Sequence, residues 1–243
     1  MKYMEQGENT MHAPKELYCI GTGPGDPELL TLKAVRLLKN ADRIAVVGRD
    51  PQKSLAYRIA VQAVPELAEK ELTGLDLPMI RDREILEKKR REAADVLASL
   101  ADGAARAAVL TLGDPSIYCS ISYLQPYLAA RGVILHYVSG VPSFCAAAAA
   151  WRAPLALEDE ELRILPGLYE KELPEFNGTY VLMKSGRNYR ELRESLEGGD
   201  RELYLAENCG LPGEKLVCPP EELPEEAGYL SVLMARKRGG LSG

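Results

Sequence analysis

Residues Cys19 to Gly48 read CIGTGPGDPELLTLKAVRLLKNADRIAVVG: an apolar strand, a glycine loop, a helix and a second apolar strand. This is the opening of an α/β fold whose parallel strands are joined by crossover helices. The loop between them, Gly21-Thr22-Gly23-Pro24-Gly25-Asp26-Pro27, is unlike the phosphate cradle that such folds use for dinucleotides. A cradle offers free N–H groups and a helix N-terminus to a pyrophosphate. Pro24 and Pro27 remove two donors, and Asp26 puts a negative charge where a phosphate would sit. A nicotinamide dinucleotide or ATP is therefore disfavoured as ligand. The local reading is that Asp26 caps the following helix, Pro27 takes its first position and Gly25 allows the tight turn. In that helix Leu29, Leu32, Val35 and Leu37 or Leu38 are expected to form one apolar stripe.

The same trio returns as Gly113-Asp114-Pro115 after the strand RAAVLTLG, where Asp114 is again expected to cap a helix. In an open α/β sheet the crevice beyond the strands' carboxyl ends receives ligands, so both loops are expected to line one site. Outward from these loops, the segment from Arg81 to Asp102 predicts an amphipathic surface helix. Its inner face would be Ile85, Leu86, Ala93, Val96, Leu97 and Leu100. DPSIYCSISYLQPYLAARG predicts a helix with Pro126 inside it, and VILHYVSG a strand. Beyond SGVPSFCAAAAAWRAPL, the runs ELRILPG, TYVLMKSG, ELYLAENCG, EKLVC and YLSVLMARK predict a more strand-rich second half, and the alanine run a closely packed helix. The expected fold class is α/β with two α/β domains: residues 15–139 on a mainly parallel sheet, residues 140–238 on a mixed sheet, and the active site in the cleft between them. Residues 1–14 and 239–243 read as tails.

A chain of 243 residues with 46% apolar and 27% charged residues is ordinary globular composition. A formal charge of −6 argues against nucleic acid as partner. No apolar run approaches the ~18 residues of a membrane span. The polar N-terminus lacks a secretory-type apolar segment, and five scattered cysteines without a C-x-x-C favour reduced, mostly buried thiols, so a cytoplasmic location is expected. With only His12 and His136 there is little material for a histidine triad or a metal site; His136 reads as structural and no metal is expected.

Three stretches, GTGPGDPELLTLKAVRLLKNADRIAV, LTLGDPSIY and VSGVPSFCAAAA, resemble the tetrapyrrole (corrin/porphyrin) methylases. GDPSIYCSISYL, VLMKSGRN and AENCG resemble most the precorrin-2 C(20)-methyltransferases of cobalamin synthesis within that family. The match runs in order from about Leu17 to Lys237. It implies S-adenosylmethionine as cofactor, held between the domains, and methyl transfer to the C(20) meso carbon of precorrin-2 or cobalt-precorrin-2, a reduced tetrapyrrole. A homodimer is implied too. By position it implies cofactor contacts at Gly113, Asp114, Ile117, Ser143 and Met183, and a substrate wall at Gly23 and Pro24. Two departures stand out: Cys119-Ser120 replaces a commoner Ser-Thr pair, and the segment from Pro166 to Phe176 is short.

A ring bearing many carboxylates needs local cations. Arg187, Arg190, Lys184, Arg81 and Arg83 are the candidates, and Tyr118 and Tyr123 are candidates for stacking on the ring. No residue stands out as a general base. Other readings are a different tetrapyrrole methylase or a non-catalytic tetrapyrrole-binding module on the same fold.

Overall fold

In the computed structural model the described residues are 15–238 except 81, 104–105, 168–172, 174–175 and 198. The two expected tails lie outside them. The first sheet contains β1 (Lys15–Gly21), β2 (Arg43–Val47), β3 (Leu72–Leu75), β4 (Ala107–Thr111) and β5 (Val133–Val138), all parallel, in the order β3-β2-β4-β1-β5. Helices α1 (Leu32–Asn40), α2 (Leu55–Ala63), α3 (Arg83–Leu100) and α4 (Gln125–Ala129) connect these strands. Apolar residues cover both faces: Leu17, Cys19, Ala45 and Val109 face α3, while Ile20, Ile44, Val46 and Leu110 face α1 and α2. That two-sided burial is why β4 opens with AAVL, four successive buried apolar residues rather than an alternation.

The second sheet is mixed, in the order β6-β7-β10-β8-β9. Its strands are β6 (Glu161–Pro166), β7 (Gly178–Met183), β8 (Arg201–Glu207), β9 (Lys215–Val217) and β10 (Ser231–Lys237). Only β6 and β7 run parallel. α5 (Ser143–Trp151) packs on one face through Phe144, Ala147 and Trp151, and α6 (Tyr189–Leu196) on the other through Tyr189, Leu192 and Leu196. Small alanines in α5 let it sit close to the sheet. Trp151 donates its ring N–H to the buried Leu205 carbonyl at 3.2 Å. Trp151→Phe keeps most of the packing and removes this bond, while Leu205 keeps its place in the strand ladder. We expect a loss of about 1 kcal/mol in a urea-unfolding titration.

The α/β class with a parallel first sheet and a mixed second one is as expected, but four local readings are corrected. Asp26 caps a single 3-10 turn, Pro27–Leu29, by accepting from Glu28 N at 2.8 Å. The chain then restarts at Thr31, whose side chain accepts from Ala34 N and caps α1. Leu32 therefore occupies the first turn facing outward and is 90% exposed, while Ala34 and Leu38 are buried. In α3 the buried face is Ala93, Ala94, Leu97 and Ala98, and Ile85 and Val96 are exposed, because only the C-terminal half lies on the sheet. No helix starts at Pro115. The chain turns, forms a 3-10 turn at Ser120–Leu124, and enters α4 with Pro126 at its second residue, where a missing N–H is harmless. Finally, of five free cysteines only Cys19 and Cys119 are buried; Cys209 and Cys218 are half-buried and Cys145 is exposed.

His136 stacks on Tyr18 with ring centres 4.9 Å apart, a structural position on β5. Among the described residues no helix is long and apolar enough to cross a membrane.

Candidate functional site

The strand order creates a switch point. From β1 the chain passes over β4 to reach β2, and from β4 it passes over β1 to reach β5, so the loops leaving adjacent β1 and β4 diverge. A crevice opens at their carboxyl ends, as such topology requires. Three glycines let the strand ends pack closely there. A Cβ on Gly21 would lie 2.4 Å from the Gly113 carbonyl oxygen and 2.9 Å from Gly140 N; one on Gly140 would lie 2.2 Å from that same oxygen. Gly113 itself needs φ +65°, and its N–H donates to the Gly23 carbonyl at 2.8 Å, tying the two loops together.

The first loop has a second contact. A Cβ on Gly25 would strike the Cys209 carbonyl oxygen at 2.3 Å, and one on Gly210, which has φ +73°, would strike Asp26 N at 2.5 Å. The GPGDP turn thus packs, backbone against backbone, on the AENCG loop after β8. Its prolines and glycines serve that junction between the two halves, and Pro24 faces the crevice.

The crevice continues into a cleft of about 510 Å³ between the two sheets. Gly113, Asp114, Ile117, Ser143 and Met183 all line it, as do Pro24 and Tyr118. Gly23 stands just behind, as the partner of Gly113. Arg187 ends a 3-10 turn, Ser185–Arg187, and its side chain lies outside the described residues, as does Arg81. Arg83 and Arg190 are exposed and do not line the cleft. Tyr123 lies away from it under the Arg90 guanidinium, 4.6 Å from the ring centre. Lining residues that the sequence reading passed over are Ser54, Leu55 and Ala56 at the start of α2, Leu77 and Met79 after β3, and Tyr229 to Ser231 before and at the start of β10.

Asp114 is a staple between loops. Its Oδ1 accepts from Ser116 N at 2.8 Å and from the Ser116 hydroxyl, and its Oδ2 accepts from Gly140 N at 3.0 Å. The expected helix cap is thus a turn cap with a second, longer-range role. Two further lining residues meet across the cleft. Tyr118 hydroxyl donates to the Ile164 carbonyl of β6 at 2.9 Å, and Lys184 Nζ donates to the Tyr118 carbonyl at 3.3 Å. Both hold left-handed backbones, φ +46° and +56°, which are uncommon for non-glycine residues. Below them lie the Cys19 and Cys119 thiols, and Cys119 donates to the Thr111 hydroxyl at 3.3 Å. The interaction between the two thiols, with burial, raises Cys19 well above the ordinary thiol range, and the same interaction lowers Cys119. Burial lowers the Lys184 amine from its ordinary value.

The model of the Tetrapyrrole (Corrin/Porphyrin) Methylases matches residues 16–224. The chain belongs to this family. Among relatives of this methylase, a probable cobalt-precorrin-2 C(20)-methyltransferase of Methanocaldococcus jannaschii is 37% identical over 206 residues, covering 84% of this chain and 86% of the relative. A precorrin-2 C(20)-methyltransferase of Sinorhizobium sp is 32% identical, over 88% of this chain and 92% of the relative. In fold, the methylase is similar to uroporphyrin-III-C-methyltransferase from Thermus thermophilus, with a TM-score of 0.65, 25% identity and 92% of each chain covered. Another structure of uroporphyrin-III C-methyltransferase from that organism, complexed with S-adenosyl homocysteine, has a TM-score of 0.60 over 91% of this chain and 97% of that one, at 22% identity.

Proposed function

We propose that this methylase transfers a methyl group from S-adenosylmethionine to the C(20) meso carbon of precorrin-2 or cobalt-precorrin-2, a step of cobalamin biosynthesis. The observation that carries this reading is the cleft at the β1/β4 switch point, walled by both halves. There the Gly113–Cys119 loop, Ser143 and Met183 converge in a chain that resembles C(20)-methyltransferases over most of its length. The residues fit a sulfonium donor better than a dinucleotide: the walls are largely apolar, Asp114 is the one acidic residue among the described lining residues, and Pro24 and Pro27 leave no pyrophosphate rosette.

In this reading Gly113, Asp114, Ile117, Ser143 and Met183 hold S-adenosylmethionine, and Gly23, Pro24, Tyr118 and Arg187 face the ring. When bound, S-adenosylmethionine supplies an electrophilic methyl group. The chain's task is to exclude water and hold the ring carbon in line, and positioning of that kind is worth roughly 7–11 kcal/mol of barrier. We place the boundary between two domains, 15–139 and 140–238, at the β5–α5 connection. The homodimer implied by the resemblance and a cytoplasmic location complete the proposal; sedimentation velocity tests the dimer.

Incubation with methyl-labelled S-adenosylmethionine and either metal-free or cobalt-bearing precorrin-2 tests the function. We expect one added methyl, located at C(20) by NMR. A methyl on a pyrrole carbon would redirect the position within the family, and no transfer together with no calorimetric binding of S-adenosylhomocysteine would overturn the methyltransferase reading.

A further inference from the structure

Replacing a meso C–H by C–CH3 releases one proton, and the proposed function leaves its acceptor unassigned. Four ionisable groups other than Lys184 line the cleft among the described residues, and each is committed. Asp114 accepts from Gly140 N on one oxygen and from Ser116 on the other. Tyr118 hydroxyl donates to Ile164 O, and Tyr229 hydroxyl contacts Met79 Sδ at 3.3 Å. Cys119 is engaged by Cys19 and by Thr111.

Lys184 differs. It is the only lysine or arginine among the described residues lining the cleft, and none of their carboxylates lies within ion-pair distance of it. Its backbone is forced into the left-handed region directly after Met183, so that the side chain turns into the cleft instead of continuing the β7 alternation. One N–H of Nζ is held by the Tyr118 carbonyl at 3.3 Å, which orients the amine.

We propose that Lys184 is the proton acceptor of the methyl transfer, a catalytic residue that works as a neutral amine. The inference rests on the methyltransferase reading above. In the step, the meso carbon forms its new C–C bond with a pair of its own π electrons, and the electrons of the donor's S–C bond stay on sulfur. The hydrogen of that carbon leaves as a proton to the Nζ lone pair, and its C–H electrons restore the conjugation. One C–H becomes one C–CH3, and one proton ends on nitrogen.

Burial lowers the amine's affinity for a proton, while a Cys119 thiolate and the Tyr118 carbonyl work the other way. A sulfonium in the cleft would push in the same direction as burial, because like charges disfavour one another. The other titratable groups facing it are Tyr118 and Asp114 on the β4 loop and Tyr229 before β10, all named above.

Two measurements test this. The first needs no substrate. Acylation of Lys184 by acetic anhydride, followed peptide by peptide in mass spectra from pH 6 to 11, is expected to show a midpoint clearly below the ~10.4 of a free lysine. A midpoint at or above that value overturns the proposal.

The second is kinetic. Lys184→Ala is expected to lower kcat by about 100-fold or more while S-adenosylhomocysteine affinity stays within about threefold, and methylamine should restore part of the rate. Lys184→Arg keeps a cation that does not give up its proton, and should be as slow as alanine. In the wild type kcat should rise with pH through the amine's pKa, and that limb should vanish in both variants. An active Lys184→Arg enzyme would make the residue a carboxylate anchor and overturn the proposal, as would full activity of Lys184→Ala. Absence of methyl transfer by the wild type instead defeats the functional reading, and the acylation midpoint still judges the lysine.

Discussion

Gly140→Ala is expected to destabilise the protein by about 3 kcal/mol or more, and to abolish binding of S-adenosylhomocysteine in whatever fraction folds. The reason is steric and local. The Cβ would need to occupy a point 2.2 Å from the Gly113 carbonyl oxygen and 2.9 Å from the Gly21 carbonyl carbon. Both obstacles are backbone, at the ends of β4 and β1, and neither has a rotamer to change. Relief requires β5 or β4 to shift, and overpacking of a rigid region typically costs 1–3 kcal/mol, more when backbone must move. Gly132→Ala is the control: Gly132 has φ +70° but nothing within 4 Å of its Cβ position, so only the left-handed backbone is taxed, at about 1 kcal/mol. Urea-unfolding midpoints of the two variants separate the effects. A Gly140→Ala protein as stable as the control would show that the three-strand junction is not close-packed.

This junction also marks how far the sequence could be read. Strands β1, β2, β4 and β5 were legible because they carry short apolar runs such as AAVL and IAVV, with glycine or charged residues close at either end. β3, with the short and half-buried sequence LTGL, and α2 fell outside the reading, although Ala56, Tyr57, Ile59 and Ala60 of α2 do repeat at helical spacing. That omission hid part of the cleft wall, since Ser54 to Ala56 and Met79 come from the same region.

The loops were misread where long-range contacts override local preference. Asp114-Pro115 has the composition of a helix start, yet its carboxylate reaches Gly140, 26 residues on, and the chain turns instead. The first glycine loop argued against a phosphate, but nothing in GPGDP announces that its backbone will meet Cys209 and Gly210. Lys184, the one lysine or arginine among the described residues lining the cleft, was visible only as one of five basic candidates. The sequence does not encode directly that its backbone turns left-handed and brings it inside.

Asp114→Ala removes the acceptor for Ser116 N and its hydroxyl and for Gly140 N, the last part-buried at the β5–α5 junction. Leaving a buried donor unpaired costs about 1–3 kcal/mol, so a moderate loss of stability is expected. The larger consequence is geometric. Gly140 precedes Val141, Pro142 and Ser143, and Asp114 fixes the distance between the Gly113–Cys119 loop and the first turn of α5, the two elements proposed to enclose the cofactor. With the staple cut, S-adenosylhomocysteine affinity should fall by at least tenfold in calorimetry, beyond what the stability loss alone explains. Asp114→Asn discriminates between charge and geometry. Its amide keeps one oxygen for either Ser116 or Gly140 but not both, so it should retain more stability than alanine. If Asp114→Asn weakens S-adenosylmethionine as much as alanine does but weakens S-adenosylhomocysteine, which has no sulfonium charge, clearly less, the negative charge itself matters beside the sulfonium. Wild-type affinity of a folded Asp114→Ala protein for both compounds would leave the aspartate a structural staple alone.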